Sequence, residues 1–144
     1  MASAVYASAI KYMVQADLDW NDDAVTVKAQ LTLSTYTVAP DTEDFQDDIT
    51  AYKASGTTDQ TLGTGRTANI VGASNQVNLD AAASVTFTAV TTGQTVTGVI
   101  IFIDTGTPAT GKLICWNEFA SSLVTNGGDV VVTFDAAGNL RFTY

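Results

Sequence analysis

The sequence predicts a mainly β fold: a single-domain antiparallel β-sandwich or open barrel with one or two short N-terminal helices. Residues 25–33 alternate strictly between apolar and polar side chains, which indicates a strand with one buried and one wet face. Further β-branched runs follow, separated by turn signals every roughly 8–12 residues, as in sandwiches and open barrels. The 144 residues, without an internal repeat or a linker, fit one domain.

The N-terminal part of the chain carries the helical signals. We predict an N-terminal arm and short helix over residues 1–16 and a β-sandwich domain over residues 17–144. Apolar side chains recur at spacings of three to four over Val5–Ala16, which favours a short amphipathic helix. A helical turn or second short helix is predicted within residues 41–55, because Asp41 can cap it and carboxylates in its first turns suit the helix dipole.

The remaining chain is predicted to form strands. Residues 55–75 are rich in Gly, Thr, Ser and Asn and indicate either short strands with turns or an irregular surface excursion. The later predicted strands are Ser84–Ala89, Val96–Asp104, Lys112–Phe119, Asp129–Phe134 and Leu140–Tyr144. The turn at residues 136–139 predicts that the last strand closes the chain as a terminal hairpin.

Composition excludes several function classes. The chain has no histidine and one cysteine, so it offers no Ser-His-Asp or Cys-His arrangement, no imidazole ligand and no disulfide within one chain. Six basic against fifteen acidic residues give a net charge of −9, which disfavours nucleic acid and anionic membranes as partners. We expect no enzyme activity and no cofactor.

The sharpest candidate site is an acidic cluster, since nine of the fifteen carboxylates fall between residues 17 and 48. Clustered carboxylates are the ligands that calcium prefers. Asp17, Asp19 and Asn21 match the first ligand positions of an EF-hand loop, but Asp22 replaces its glycine and Lys28 its bidentate glutamate. We therefore expect turn and helix-end carboxylates and no metal, with an acidic calcium-binding domain as the open alternative.

Other conspicuous residues have structural interpretations. Cys115 lies between Ile114 and Trp116, where a lone cysteine behaves as a small hydrophobic side chain. Trp20 and Trp116 are equally consistent with interface anchors and with ordinary core. Asp104 and Glu118 flank apolar strands and are predicted to be strand-end or loop carboxylates.

The whole chain, taken in order, resembles a family of small virion proteins of tailed bacteriophages. The resemblance begins with a short N-terminal helix, an alternating strand after Asp23 and an acidic helix at Pro40–Ile49, and it continues in the middle of the chain with Leu79–Val90. The more recognisable part lies in the C-terminal half: Gly98–Pro108 followed by Leu113-Ile114, and the ending Asn126–Leu140. These runs are strand and turn patterns without a chemical signature.

This resemblance implies a structural role in the phage particle. A capsid decoration (cement) protein fits best: a small β-rich homo-oligomer, with a trimer favoured, that binds the major capsid protein and stabilises the shell. The resemblance implies localisation on the capsid exterior of the virion, and in the host cytoplasm during assembly. Alternatives are another virion position (tail, head–tail joining or fibre base) and, from a different class, an extracellular binding module with an aromatic-lined groove.

The contacts with the shell or with neighbouring subunits are predicted to come from the N-terminal arm and the loop at Trp20. The interface residues of this hypothesis are Val5, Tyr6, Ile10, Tyr12 and Trp20.

Overall fold

The computed structural model describes residues 4–15, 19–72, 76–81, 84–135 and 140–143. It confirms the predicted fold class: the described chain is mainly β, with antiparallel sheets and two short helices. The elements in chain order are β1 (Ala4–Val5), α1 (Ala7–Val14), β2 (Val27–Leu33), α2 (Gln46–Ile49), β3 (Gln60–Thr61), β4 (Thr67–Val71), β5 (Gln76–Asp80), β6 (Ser84–Phe87), β7 (Thr95–Ile103), β8 (Leu113–Val124), β9 (Val130–Thr133) and β10 (Leu140–Thr143), with 3₁₀ turns at Thr50–Tyr52 and Pro108–Thr110.

The main sheet has five strands in the order β1-β8-β7-β2-β3. Its central strand, β7, is buried on both faces. Val99, Ile101 and Ile103 face one hydrophobic cluster, while Ile100 and Phe102 face another. A strand covered on both sides needs apolar residues at successive positions, which explains the unbroken apolar run from Val99 to Ile103.

Two smaller sheets, β6-β9 and β10-β5-β4, complete the β structure. Val85 and Phe87 of β6, with Val130 and Val132 of β9, pack into the same cluster as one face of the main sheet. The predicted terminal hairpin is wrong, because β10 pairs with β5, with Leu140 opposite Leu79. Strand β9 is already paired with β6, and residues 136–139 lie outside the described part of the chain.

The second face of the main sheet is covered by α1, α2 and the segment around Tyr36. The wet face predicted for β2 is therefore wrong: Gln30 and Thr32 are 1% and 0% exposed. Gln30 donates its amide N–H to the carbonyl oxygen of Ile49, and Thr32 accepts a hydrogen bond from the indole of Trp116. These polar side chains are buried because internal partners replace water.

Both helices are shorter than predicted. Residues Ala4–Val5 pair with Trp116 and Cys115 as strand β1, so the first helix begins only at Ala7. Helix α2 begins at Gln46 after the N-cap residue Phe45, and the carboxylate that caps its start is that of Asp48, in its first turn, rather than that of Asp41. One carboxylate oxygen of Asp48 accepts the backbone N–H groups of residues 44 and 45 at 2.9 and 3.1 Å. The acidic composition correctly indicates that a helix begins in this segment, but the prediction places the start about one turn too early.

Candidate functional site

The structure does not bring the five predicted interface residues together on one exposed surface. Ile10 is 48% exposed, and Val5 and Tyr12 are half-buried. Tyr6 and Trp20 are buried in separate hydrophobic clusters. The described part of the N-terminal arm, residues 4–15, is packed against the main sheet within the single chain.

Tyr6 belongs to a buried chain of hydrogen bonds. Its hydroxyl lies 2.5 Å from the Tyr36 hydroxyl, which in turn donates to a carboxylate oxygen of Glu43 at 2.6 Å. The same oxygen of Glu43 accepts the backbone N–H of Ala39 at 3.1 Å. Because Tyr36 uses its proton toward Glu43, Tyr6 is the donor toward Tyr36. This chain joins the start of α1 to the segment that follows β2.

The buried hydrogen bonds that link Tyr6, Tyr36 and Glu43 make the stability of the fold sensitive to alkaline pH. Burial raises the pKa of Tyr6 and of Tyr36, and the hydrogen bond to Glu43 raises that of Tyr36 further. Above about pH 10 the unfolded chain loses both protons while the folded chain keeps them. The free energy of unfolding is therefore expected to fall by about 1.4 kcal/mol per pH unit for each retained proton, and to show no dependence on these groups below that pH.

Urea unfolding between neutral pH and pH 11 measures this slope. Tyr6→Phe and Tyr36→Phe should each make this slope shallower by about 1.4 kcal/mol per pH unit, the contribution of one retained proton, because phenylalanine has no group to ionise. Absorbance of tyrosinate in the folded protein should show Tyr6 and Tyr36 resisting ionisation until the protein unfolds. A slope that both variants leave unchanged contradicts this account.

Trp20 is held in the core by its surroundings. Its indole N–H donates to the carbonyl oxygen of Asp80 at 2.9 Å. Its own carbonyl accepts the Nε–H of Arg66 at 3.0 Å. Of its two sequence interpretations, the core interpretation describes its place in the single chain.

The carboxylates of the acidic cluster bond to nearby backbone. Asp19 and Asp22 each accept the N–H two residues onward, and Asp23 accepts the N–H of Gly65 at 2.9 Å. Within the described ranges, no group of three Asp, Glu, Cys or His side chains is placed to hold a metal ion. Asp17, the first residue of the EF-hand comparison, lies outside those ranges.

The other titratable residues considered as candidates, Cys115 and Asp104, are respectively buried in the core and paired with a lysine. Cys115 is 1% exposed, and burial raises the pKa of its thiol to about 12. Asp104 lies 2.5 Å from the ammonium of Lys28 and accepts the N–H of Gly106. The hydrogen bond from Lys28 is the main cause that lowers the pKa of Asp104.

The exposed apolar surface that the structure does assemble lies between β8 and β9. We call it the β8–β9 patch. It is a groove of about 260 Å³ lined entirely by uncharged residues: Phe119, Ala120, Ser121, Leu123, Val130, Val131, Val132 and Thr133. Leu123 and Val131 are 43% and 59% exposed, and the adjoining Val124 is 65% exposed.

An irregularity in the main sheet creates this patch. Val96 pairs with Leu123, but Gly98 pairs with Glu118, so residues 119–122 bulge out opposite the single residue Thr97. The bulge turns the second half of β8 outward, where residues 120–124 are exposed.

Sequence reasoning missed the patch, although β9 carried a signal. Its three consecutive valines, Val130 to Val132, cannot all face the core of a strand covered on one side, so Val131 had to face outward. The bulge in β8 had no such signal, because residues 119–122 are small apart from Phe119.

Neither helix has the length and apolar character needed to cross a membrane, and no other helix in the described part of the chain does. Comparison of the chain with family models, with curated proteins and with solved structures found no match.

Proposed function

We propose that the chain is a structural protein of a tailed-bacteriophage virion: a capsid decoration protein that binds the major capsid shell from outside and stabilises it without a catalytic step. The observation that carries the proposal is the run Gly98–Pro108 followed by Leu113-Ile114, which resembles small phage virion proteins. In the fold, this run forms most of β7, the turn after it and the start of β8.

The turn in this run is built from its own side chains. Asp104 accepts the N–H of Gly106, which has φ +81°, and the hydroxyls of Thr105 and Thr110 lie 2.6 Å apart. Glycine adopts this left-handed conformation without steric cost. The Asp-Thr-Gly-Thr-Pro pattern therefore specifies a turn between the two longest strands, and the resemblance is one of architecture.

We assign the shell contact to the β8–β9 patch. None of the residues that line the patch is charged, so this contact adds apolar area without placing a carboxylate within it. The area that one copy buries is modest, but a shell presents the same site many times, and linked copies bind with added avidity. The low charge of the patch also suits the core of an interface, where charged residues are depleted.

The test uses shells of the encoding phage that lack this protein. Purified chain should sediment with these shells and saturate at a fixed ratio to the major capsid protein. Val131→Asp should weaken this binding by about tenfold or more, because it places a charge in a desolvated contact. Val131 is exposed in the single chain, so the substitution should change folding stability little.

The matched control is Val14→Asp. Val14 is 82% exposed and lies on α1, outside the patch. Both variants replace an exposed valine by aspartate, so they change the net charge equally. Equal binding by both variants removes the patch from the account, and failure of the wild-type chain to sediment with shells removes the proposed function.

A further inference from the structure

The strand β4 (Thr67–Val71) is an open edge of the three-stranded sheet. The order of that sheet is β10-β5-β4, so β4 pairs with β5 on one side only, with Asn69 opposite Asn78. Among the described residues, no backbone group of β4 bonds to an element other than β5. One row of its N–H and C=O groups therefore faces outward.

None of the usual protections of an edge strand occurs on β4. Natural edges are commonly blocked by charged side chains, proline or a bulge. Strand β4 has neither charge nor proline, and its pairing with β5 runs without a break in register. Its residues 67–70 are all exposed, and Ile70 is 77% exposed.

The distribution of charge allows a second copy of this chain to reach the β4 edge. Each copy carries a net charge of −9, so two copies repel except where both surfaces lack carboxylates. The segment 60–79 has a single charged residue, Arg66, which is 4% exposed and points into the fold. Two copies can therefore bring their β4 edges together without opposing carboxylates on this segment.

We infer that β4 pairs with β4 of a second copy, antiparallel, about a two-fold axis at Asn69. Such pairing is self-complementary, because each strand offers the other the same row of donors and acceptors. It places Asn69 opposite Asn69 of the second copy, and Ala68 opposite Ile70 of the other copy. The two three-stranded sheets become one sheet of six strands.

Because each copy uses its β4 edge in this pairing, the assembly is complete with two copies. It therefore differs from the trimer that the phage resemblance implies. It concerns the isolated chain and stands apart from the proposed binding to a shell. Loss of shell binding and loss of self-association are separate measurements.

Light scattering coupled to size exclusion, from low-micromolar to submillimolar concentration, should show a monomer–dimer equilibrium. Ile70→Lys should weaken the dimer by about tenfold or more, because it removes apolar contact and places lysines of the two copies at diagonal positions on one face. Val14→Lys is the matched control, since it makes the same charge change at an equally exposed aliphatic residue of α1.

A cross-linking variant gives a positive identification of the axis. Asn69→Cys should form a disulfide-linked dimer under mild oxidation, because residues opposite each other in an antiparallel pair have Cα atoms about 4.5–5.5 Å apart. The native Cys115 is buried and should not contribute. Val14→Cys should remain monomeric under the same oxidation.

The inference is supported by a wild-type dimer that Ile70→Lys weakens and Val14→Lys does not, together with cross-linking only at position 69. A monomer at every concentration, a trimer, or equal behaviour of Ile70→Lys and Val14→Lys overturns it.

Discussion

Gly98→Ala is expected to destabilise the protein by about 2–4 kcal/mol. Gly98 lies in β7, opposite Thr32 on one side and Glu118 on the other. The indole of Trp116 passes over Gly98, and its N–H donates to the hydroxyl of Thr32 at 3.3 Å. A methyl group at position 98 would overlap the indole nitrogen and lie 2.7 Å from the carbonyl oxygen of Asn117.

The clash is costly because neither neighbour can move freely. The carbonyl of Asn117 is main chain of β8, and Trp116 is 5% exposed within the cluster that includes Ile100 and Tyr36. Overpacking at such a site forces backbone shifts or a strained rotamer. Tryptophan fluorescence during urea unfolding measures the loss.

Gly72→Ala is the control for this prediction. No atom of the described residues lies within 4 Å of where a Cβ of residue 72 would be, and the φ of Gly72 is outside the left-handed region, so alanine there should change stability by less than about 0.5 kcal/mol. Equal stability of the two variants contradicts the packing described for Trp116.

Arg66→Lys is expected to destabilise the protein by about 2–4 kcal/mol although it keeps the charge. The guanidinium of Arg66 is buried and donates to four carbonyl oxygens, those of Trp20, Asp22, Val25 and Gly63, at 2.5–3.0 Å. Lysine concentrates its donors on one nitrogen and cannot reach acceptors spread around a planar fork. The part-buried carbonyls that lysine cannot reach lose these charge-assisted hydrogen bonds.

Arg66→Met is the reference for complete loss of these hydrogen bonds, because methionine is also a long side chain but has no charge and no donor. Urea unfolding should place Arg66→Lys much nearer to Arg66→Met than to the wild type. If Arg66→Lys is as stable as the wild type, the loops at residues 20–25 and 63–66 are not held by this fork.

The sequence predicted the bounds of the two central strands, β2 and β7, well because strand burial leaves a direct pattern. The continuous apolar run in β7 and the alternation in β2 placed both strands within one or two residues. The pairing of strands is harder to predict from the sequence, because the apolar pattern of a strand does not identify the strand with which it pairs. Nothing in residues 140–143 distinguishes pairing with β5 from pairing with β9.

Burial by a second layer was the main source of error at the candidate site. Tyr6, Gln30 and Thr32 have polar groups that predict exposure, yet each finds an internal partner once the segment around Tyr36 covers the sheet. The same covering removes Tyr6 from the proposed contact surface. The β8–β9 patch depends on a bulge, which is a matter of tertiary register that local propensity does not encode.

The proposed role in a phage particle is tested most directly by the copy number of the chain in purified virions. Quantitative mass spectrometry of intact particles gives its ratio to the major capsid protein. A shell-wide decoration protein predicts a ratio near one to one. A ratio of a few per cent would place the chain in the tail or neck, and absence from the particles would contradict a structural role in the virion.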